Sequence, residues 1–422
     1  GLLCMDKQIF AAVEVVDHEV RFIVGEFFNT RFNIIKVERV PVSGMTGSEL
    51  VNAEAVTTAI HKAAENAGNT IGTKIEKVIL GIPAYRVKRY PLKVNVNIDS
   101  LDGICSAHDI RLAISKATQT HIDNTLALVQ PACVKYTVNG ITSRRIPIGE
   151  RCDHLIVDID LLCADRQLTY ALVGCVEKAG LSVMDIYLDA FATAKEAALL
   201  EQSMDQSIIV LKTERNTTSL SLVSQGKLMA CDTIEAGLGN MISSISEGYQ
   251  LPTETAARLL KYNTRLNLDK YSTNPVHIWA LNGETTTLSE EQLMDCVKPA
   301  LRNWVDEIKA KCQPILDAGK TRVIITGEGG ELQGIDEVLG KALDTDVRCY
   351  VPETLGGRYS GLTSCLGLFY SYKDNLPITQ NDDNSVDMEQ FAKTVEYKNA
   401  KPSDSEESIT KKLKLMLFEA KK

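Results

Sequence analysis

The chain lacks any apolar run approaching the ~20 residues of a membrane-spanning helix, so it is not expected to be integral to a membrane. It also lacks a Cys-x-x-Cys pair. Its eleven cysteines are odd in number and scattered, which argues against both a zinc cluster and a disulfide framework. They read as small buried hydrophobes in a reducing cytosol. There is no excess of positive charge: the net charge of −9 gives no general pull toward nucleic acid. The six histidines (His18, His61, His108, His121, His154, His277) show neither metal spacing nor a local triad pattern, and each reads as a surface or satisfied residue. Gly1 to Met5 is too short for a signal peptide, and the natural start is expected at Met5, with Gly1 to Cys4 extraneous.

What is present is enough chain for two domains or more. Hydrophobic residues at 44% and charged residues at 24% are ordinary for a globular protein. Two segments share one pattern of apolar strand, tight polar turn and apolar strand. They are Phe10-Ala-Ala-Val-Glu-Val-Val-Asp-His-Glu-Val-Arg-Phe-Ile-Val-Gly-Glu26 and Ser207-Ile-Ile-Val-Leu-Lys-Thr-Glu-Arg-Asn-Thr-Thr-Ser-Leu-Ser-Leu-Val223. A third, Val323-Ile-Ile-Thr-Gly-Glu-Gly-Gly-Glu-Leu332, is a strand entering a glycine-rich turn. Each hairpin opens a βββα half, a weak internal duplication of the kind expected when two lobes close on a ligand.

Between them, residues 85–165 change texture. A half-exposed strand (Lys88 to Ile98), a helix (Ala107 to Thr118) and two β segments (Leu126 to Val138, His154 to Leu162) suggest a compact α+β insert. Asp158 and Asp160 lie in the last of these, where an edge strand explains them more simply than acid–base work. In the second half a helical region spans about Leu238 to Lys261, and Asn263 to Thr286 is loop-rich. A long helix follows from Ser289, where Ser289 and Gln292 resemble a capping box. Trp279 and Trp304 read as packing residues, and a last helix is expected from Ser360 to Tyr372. Residues 373–407 hold few apolar side chains, with 4 Lys against 9 acids, and read as a disordered linker.

The chain then ends in a segment whose Ile409, Leu413, Met416, Leu417 and Ala420 share one helical face. Lys411, Lys414 and Lys422 lie opposite, Lys412 and Lys421 flank the stripe, and Leu415 and Phe418 broaden it. Five lysines against Glu419 make the segment basic, with Ser403 and Glu406 able to begin the helix. A basic amphipathic helix on a tether fits an anionic lipid surface; packing on the protein's own body or in a partner groove is the alternative.

On these residues the chain resembles the FtsA family of bacterial cell-division proteins, from about Phe10 to Tyr372. Beside the three turns, the resemblance is carried by Asp123 to Gly140, Cys175 to Asp185, and Val347-Arg-Cys-Tyr-Val-Pro352 through Gly361 to Leu368. It implies an α/β, actin-like (RNase H-like) two-lobed fold with an inserted α+β (SHS2-type) subdomain. The expected division is 5–84 with 166–204 for lobe 1, 85–165 for the insert, 205–242 with 318–372 for lobe 2, and 243–317 for its subdomain. The linker, 373–407, and the tail helix, 408–422, complete it. The resemblance also implies a peripheral protein on the cytoplasmic face of the cell membrane at the division site. Implied partners are the C-terminal tail of FtsZ, other division proteins and further copies of itself. It implies a membrane role for the tail, with Ile409, Lys411, Lys412, Leu413, Lys414, Leu415, Met416, Leu417 and Phe418 as contacts. Lys298 or Arg302 would meet the partner, because Ala300 stands where the family carries Arg.

The nucleotide positions depart from the family. Its first turn, Asp-Ile-Gly-Ser, is here Glu14-Val15-Val16-Asp17, and Val16 would crowd a phosphate and resist positive φ. Its second, Asp-Ile-Gly-Gly-Gly-Thr-Thr, is here Lys212-Thr213-Glu214-Arg215-Asn216-Thr217-Thr218. A Glu expected before the lysine at Lys261 is Arg258, and Glu328 interrupts Gly327, Gly329 and Gly330. A lysine beside magnesium would cost several kcal/mol at ~4 Å and an effective dielectric of ~20. No magnesium-dependent ATP hydrolysis is therefore expected. Three outcomes stay open: Lys212 and Arg215 on a solvated turn that binds nothing, ATP held without magnesium by those two cations, and a working switch. A pilus-type (PilM-like) adaptor that binds a membrane partner's peptide is a further alternative.

Overall fold

The computed structural model describes residues 7–46 and 48–400, and side chains as far as residue 396. The tail at 408–422 and the end of the expected linker, 401–407, lie outside the described residues. Apolar strand residues build two sheets of the same design. In the first lobe β1 (Lys7–Val15), β2 (Glu19–Phe28) and β3 (Arg31–Pro41) form a meander. The small β4 (Met45–Thr46) and β5 (Glu49–Leu50) lead to α1 (Ala53–Ile71). Asn52 caps α1 by accepting from the Ala55 N–H, and Gly72 ends it at φ 80°. The crossover returns the chain as β6 (Lys77–Ile82), parallel to β1.

The insert follows: β7 (Lys88–Asn97), α2 (Ala107–Ala117), β8 (Leu126–Val138), β9 (Ile141–Ser143) and β10 (His154–Asp165). Its sheet order is β7-β10-β8-β9. So Asp158 and Asp160 sit on an inner strand, not the expected edge. Asp160 is buried and takes an ion pair from Arg89 at 3.2 Å. The chain re-enters lobe 1 through α3 (Arg166–Lys178), β11 (Ser182–Leu188), α4 (Asp189–Glu196) and α5 (Leu199–Gln202), closing the sheet β11-β6-β1-β2-β3.

Lobe 2 repeats the plan. β12 (Ser207–Thr213), β13 (Thr218–Ser224) and β14 (Lys227–Ile234) form its meander. The expected single helical region is two helices, α6 (Gly239–Tyr249) and α7 (Thr253–Tyr262), broken where Gln250 turns left-handed before Pro252. The stretch read as loop contains a hairpin, β15 (Pro275–Leu281) and β16 (Glu284–Ser289). Its turn, Asn282-Gly283, has positive φ at both residues, the arrangement that matches strand twist. Then come α8 (Glu290–Ala318), opened by the Ser289–Gln292 capping box, β17 (Thr321–Thr326), α9 (Ile335–Leu343) and β18 (Val347–Cys349). The order β14-β13-β12-β17-β18 mirrors lobe 1 strand for strand, so the duplication read from the hairpins is structural.

Two boundaries move. The last expected helix is α10 (Thr363–Thr379), and it packs on α4, β1 and β6; its Leu366, Leu368 and Phe369 are buried with Phe10 and Ile79. It therefore belongs to lobe 1, although its sequence follows lobe 2. The expected linker is also folded as far as the description reaches. Residues 380–387 run back along lobe 1 into α11 (Met388–Ala400), burying Val386 and Phe391. Asn384 and Ser385 enter the gap where β1 and β6 have parted. Asn384 Oδ1 accepts the Ile9 N–H at 2.8 Å, Ser385 Oγ accepts the Ala11 N–H at 2.7 Å, and the Ser385 carbonyl accepts the Glu76 N–H at 2.8 Å. Low apolar content misled the reading because this strap is held mainly by hydrogen bonds from its polar side chains and backbone to the backbone of the sheet.

Candidate functional site

The three turns meet between the lobes. Alternation along β1 turns Glu14 inward, and β12 delivers Lys212 from the opposite lobe. Lys212 Nζ contacts the Glu14 carboxylate and lies 2.8 Å from Asp189 at the start of α4. Ser364 Oγ donates to Glu14 from α10. Burial would strip Lys212 of its charge, but Asp189 and Glu14 outweigh that and hold its pKa above the ordinary lysine value. Burial raises Glu14 too, yet Lys212 and Arg21 prevail and keep it low. Burial prevails at Asp189, whose pKa is raised.

The second relationship concerns anion binding. The turn at 214–217 closes through Glu214 N–H to the Thr217 carbonyl at 2.9 Å. Its next two N–H groups, Arg215 and Asn216, point across the cleft at the Asp17 carboxylate, at 3.3 and 2.7 Å. Such consecutive N–H groups form the kind of nest that receives phosphate; here a side chain of the other lobe fills it. The Val16 N–H closes the first turn on the Glu19 carbonyl at 3.0 Å. Val16 is not among the positive-φ residues, so the backbone conflict anticipated for it does not arise.

A third layer surrounds these. His18 contacts Asp17 at 3.0 Å and Glu328 at 2.9 Å. Burial would lower its pKa, but hydrogen bonds with Asp17, Glu19 and Glu328 push it up to about 11. Arg21, fully buried, joins Glu19 at 3.0 Å to Glu214 at 2.9 Å across the lobes. Arg39 grips Glu19 and lies 4.1 Å over the Tyr359 ring. Arg215 spans Glu328 at 2.9 Å and Glu254 at 2.6 Å, and Lys261 reaches Glu328 at 3.2 Å. Burial works against the ionised forms of Glu19 and Glu328, yet these cations hold both carboxyls well below the usual range. Burial leaves Glu214 raised.

The sequence-derived site residues thus mostly converge. Glu14, Val16, Asp17, Lys212, Glu214, Arg215, Asn216, Lys261, Gly327, Gly329 and Gly330 line one contact zone. Thr217 borders it, and Thr218 points into the lobe, donating to the Ala236 carbonyl and accepting from Trp304 Nε1 at 2.9 Å. Arg258 does not join: it is exposed on α7, and Glu254 one turn earlier faces Arg215 instead. Lys212 and Arg215 are not on a solvated turn, since each side chain is only 11% exposed. The glycines serve packing: a Cβ on Gly327 or Gly329 would strike Thr213 of the neighbouring strand. Sequence reasoning missed His18, Glu19, Arg21, Asp189, Glu254 and Ser364. The signal in β2 was Glu19 and Arg21, two charges spaced two apart in an apolar strand.

Magnesium–nucleotide does not fit these residues. Lys212 stands where the resemblance requires a carboxylate, Asp17 fills the N–H cradle, and the cavity lined by Val16, Asp17, Asp189, Lys212 and Glu214 is about 50 Å³. Ligand pockets run to roughly 300–1,000 Å³. Among the described residues, no group of three or more His, Cys, Asp or Glu is placed to hold a metal ion. Lys298 is half-buried over Tyr271 and Arg302 is exposed one turn along α8. Neither lines the cleft cavity.

No family model matches the chain. FtsA of Bacillus subtilis is 21% identical over 372 residues, 86% of this chain and 83% of that protein. FtsA of Neisseria meningitidis serogroup B is 22% identical over 393 residues, 89% of this chain and 93% of that one. These similarities over most of the chain support a divergent relative of FtsA. Among solved structures, the PilM–PilN type IV pilus biogenesis complex superposes with a TM-score of 0.58 at 14% identity, covering 86% of this chain and 98% of that one. MreB5 of Spiroplasma citri, bound to ADP, gives 0.51 at 11% identity, covering 89% and 99%. These likenesses carry the actin-like fold expected of an FtsA relative.

Proposed function

We propose that this FtsA relative is a non-catalytic adaptor of the division machinery on the cytoplasmic face of the membrane. Its basic amphipathic tail holds an anionic lipid surface, and its body gathers a division polymer, FtsZ through its C-terminal tail, together with other division proteins and copies of itself. The observation that carries this reading is the filled cleft. The chain supplies its own anion, Asp17, to the N–H cradle and its own cation, Lys212, to Glu14 and Asp189. Each lobe is thereby bonded to the other without nucleotide, so closure has no need of ATP. Among the described residues no helix is long and apolar enough to cross a membrane, which accords with attachment through the tail. The names of the relatives support the division role, and the lysines of the tail favour lipid over the pilus-type alternative.

Two measurements test this. Isothermal titration with ATP, with and without magnesium, is expected to show no binding tighter than about millimolar, the affinity of only ~4 kcal/mol of interaction. Micromolar affinity restores the switch reading. Removal of residues 409–422 is expected to release the protein from anionic liposomes; undiminished co-sedimentation removes the anchor.

A further inference from the structure

A cavity of about 850 Å³ opens where the insert, lobe 1 and lobe 2 meet, and it shares no lining residue with the interlobe cleft. Its volume lies within the ~300–1,000 Å³ of small-molecule sites. Each of the three units contributes wall. The insert brings Cys133 and Arg145, lobe 1 brings Phe27 and Phe191, and lobe 2 brings Lys227 and Leu228. Arg144 of the insert already ties the units together by donating to the Gly226 carbonyl at 3.0 Å.

The charges in the wall are unequal: five cationic side chains stand against three acidic ones. Two of the acids are engaged, Asp160 by Arg89 at 3.2 Å and Asp374 by Lys195 at 2.8 Å. Among the described residues Arg145 and Lys227 have no ion-pair partner, although both flank the same space. The rest of the wall is chiefly aromatic and aliphatic. A solute matching it has an apolar body for the rings and a negative head for the two cations. The protein's own tail, with five lysines against Glu419, has the wrong charge.

We propose that this cavity binds a small free amphipathic anion, an apolar body carrying a carboxylate, phosphate or sulfate head. Binding would bridge the insert to both lobes and fix its orientation. The proposal is independent of the adaptor reading, because none of its residues belongs to the cleft or the tail.

Cys133 gives a local readout. Cys133 belongs to the cavity wall and is only partly exposed, and burial pushes its pKa up to about 11, so its alkylation is slow and sensitive to occlusion. Full-length protein is titrated with decyl phosphate by calorimetry, and N-ethylmaleimide labelling of Cys133 is followed by peptide mass. Saturable binding of one molecule and loss of Cys133 labelling are expected, with neither produced by neutral decyl maltoside. The double variant R145E/K227E is expected to weaken binding by about tenfold or more, one charge-assisted hydrogen bond's worth. A132W, which fills the cavity without changing charge, is expected to abolish it and serves if the charge reversals disturb folding. Unchanged Cys133 labelling at saturation overturns the proposal, as does affinity that survives both variants. Protection by phosphatidylglycerol vesicles but not by decyl phosphate overturns the free-ligand assignment.

Discussion

The Asp17 carboxylate of lobe 1 accepts the Asn216 backbone N–H of lobe 2 at 2.7 Å, and the Arg215 N–H at 3.3 Å. A turn whose amides converge on an anion has been given one by its own chain. The pairing costs no ligand entropy, and it joins the lobes at the second of the two matching turns.

Asp17→Ala is expected to leave two inward-pointing N–H groups without an acceptor, at a cost of about 1–3 kcal/mol. The emptied cradle is then open to inorganic anions. Sulfate or phosphate should raise the melting temperature of the variant more than that of the parent protein. Equal salt responses would show that the cradle does not select anions.

Lys212→Ala leaves Glu14 and Asp189 buried without their shared cation. Breaking a buried pair in this way costs about 3–5 kcal/mol. Replacing all three by neutral partners (E14Q, D189N, K212M) is expected to recover much of the loss, because no uncompensated charge remains. Denaturant midpoints check both statements, and a K212A variant as stable as the parent would deny Lys212 its place in the lock.

Stability should fall from acid-neutral to alkaline pH, and two of the contributing groups are separable. Burial lifts Glu196 to about 7 despite its hydrogen bond from Tyr350 of the other lobe. A carboxyl raised above its unfolded value near 4.5 stabilises fully below that pH and loses its contribution as pH climbs through 7. His18, raised from 6.5 to about 11, contributes fully below pH 6.5 and loses its share on the way to 11. Glu19 and Glu328, held low, have the opposite sign: their contribution is present above pH 4.5 and is lost on acidification. Urea midpoints against pH should show E196Q flattening the pH 5–7 portion while leaving the alkaline fall. An identical slope in E196Q would remove Glu196 from the account.

The strap makes its own prediction. Ser385→Ala removes the acceptor of the Ala11 N–H and is expected to cost about 1–3 kcal/mol. Hydrogen exchange at Ala11 should accelerate more than at Val13, which pairs directly with β2 and β6. Uniform acceleration along β1 would mean that the strap stabilises globally and does not locally seal the sheet.

Much of this architecture was legible in the chain. The two hairpins at Phe10 and Ser207, the α+β insert and the Ser289 cap were readable because strand alternation and capping are local rules. The hairpin at Pro275 was missed although Asn282-Gly283 marks its turn, because its second strand, Glu284-Thr-Thr-Thr-Leu-Ser289, is almost wholly polar and a proline opens the first. The strap was missed for a related reason, its hydrogen bonds to the sheet leaving no apolar signature.

The sequence by itself determined that two similar lobes each open on a strand, a charged turn and a second strand, and that lysines and apolar side chains alternate at helical spacing over residues 409–422. Only the tertiary structure decided what the charged turns do. Lys212 lies 198 positions from Glu14 and Asn216 lies 199 from Asp17. Charge in one turn therefore looks like a defect until the opposite lobe supplies its counter-charge. Ionic partners are chosen by distance in space, and at such separations along the chain no local pattern records them.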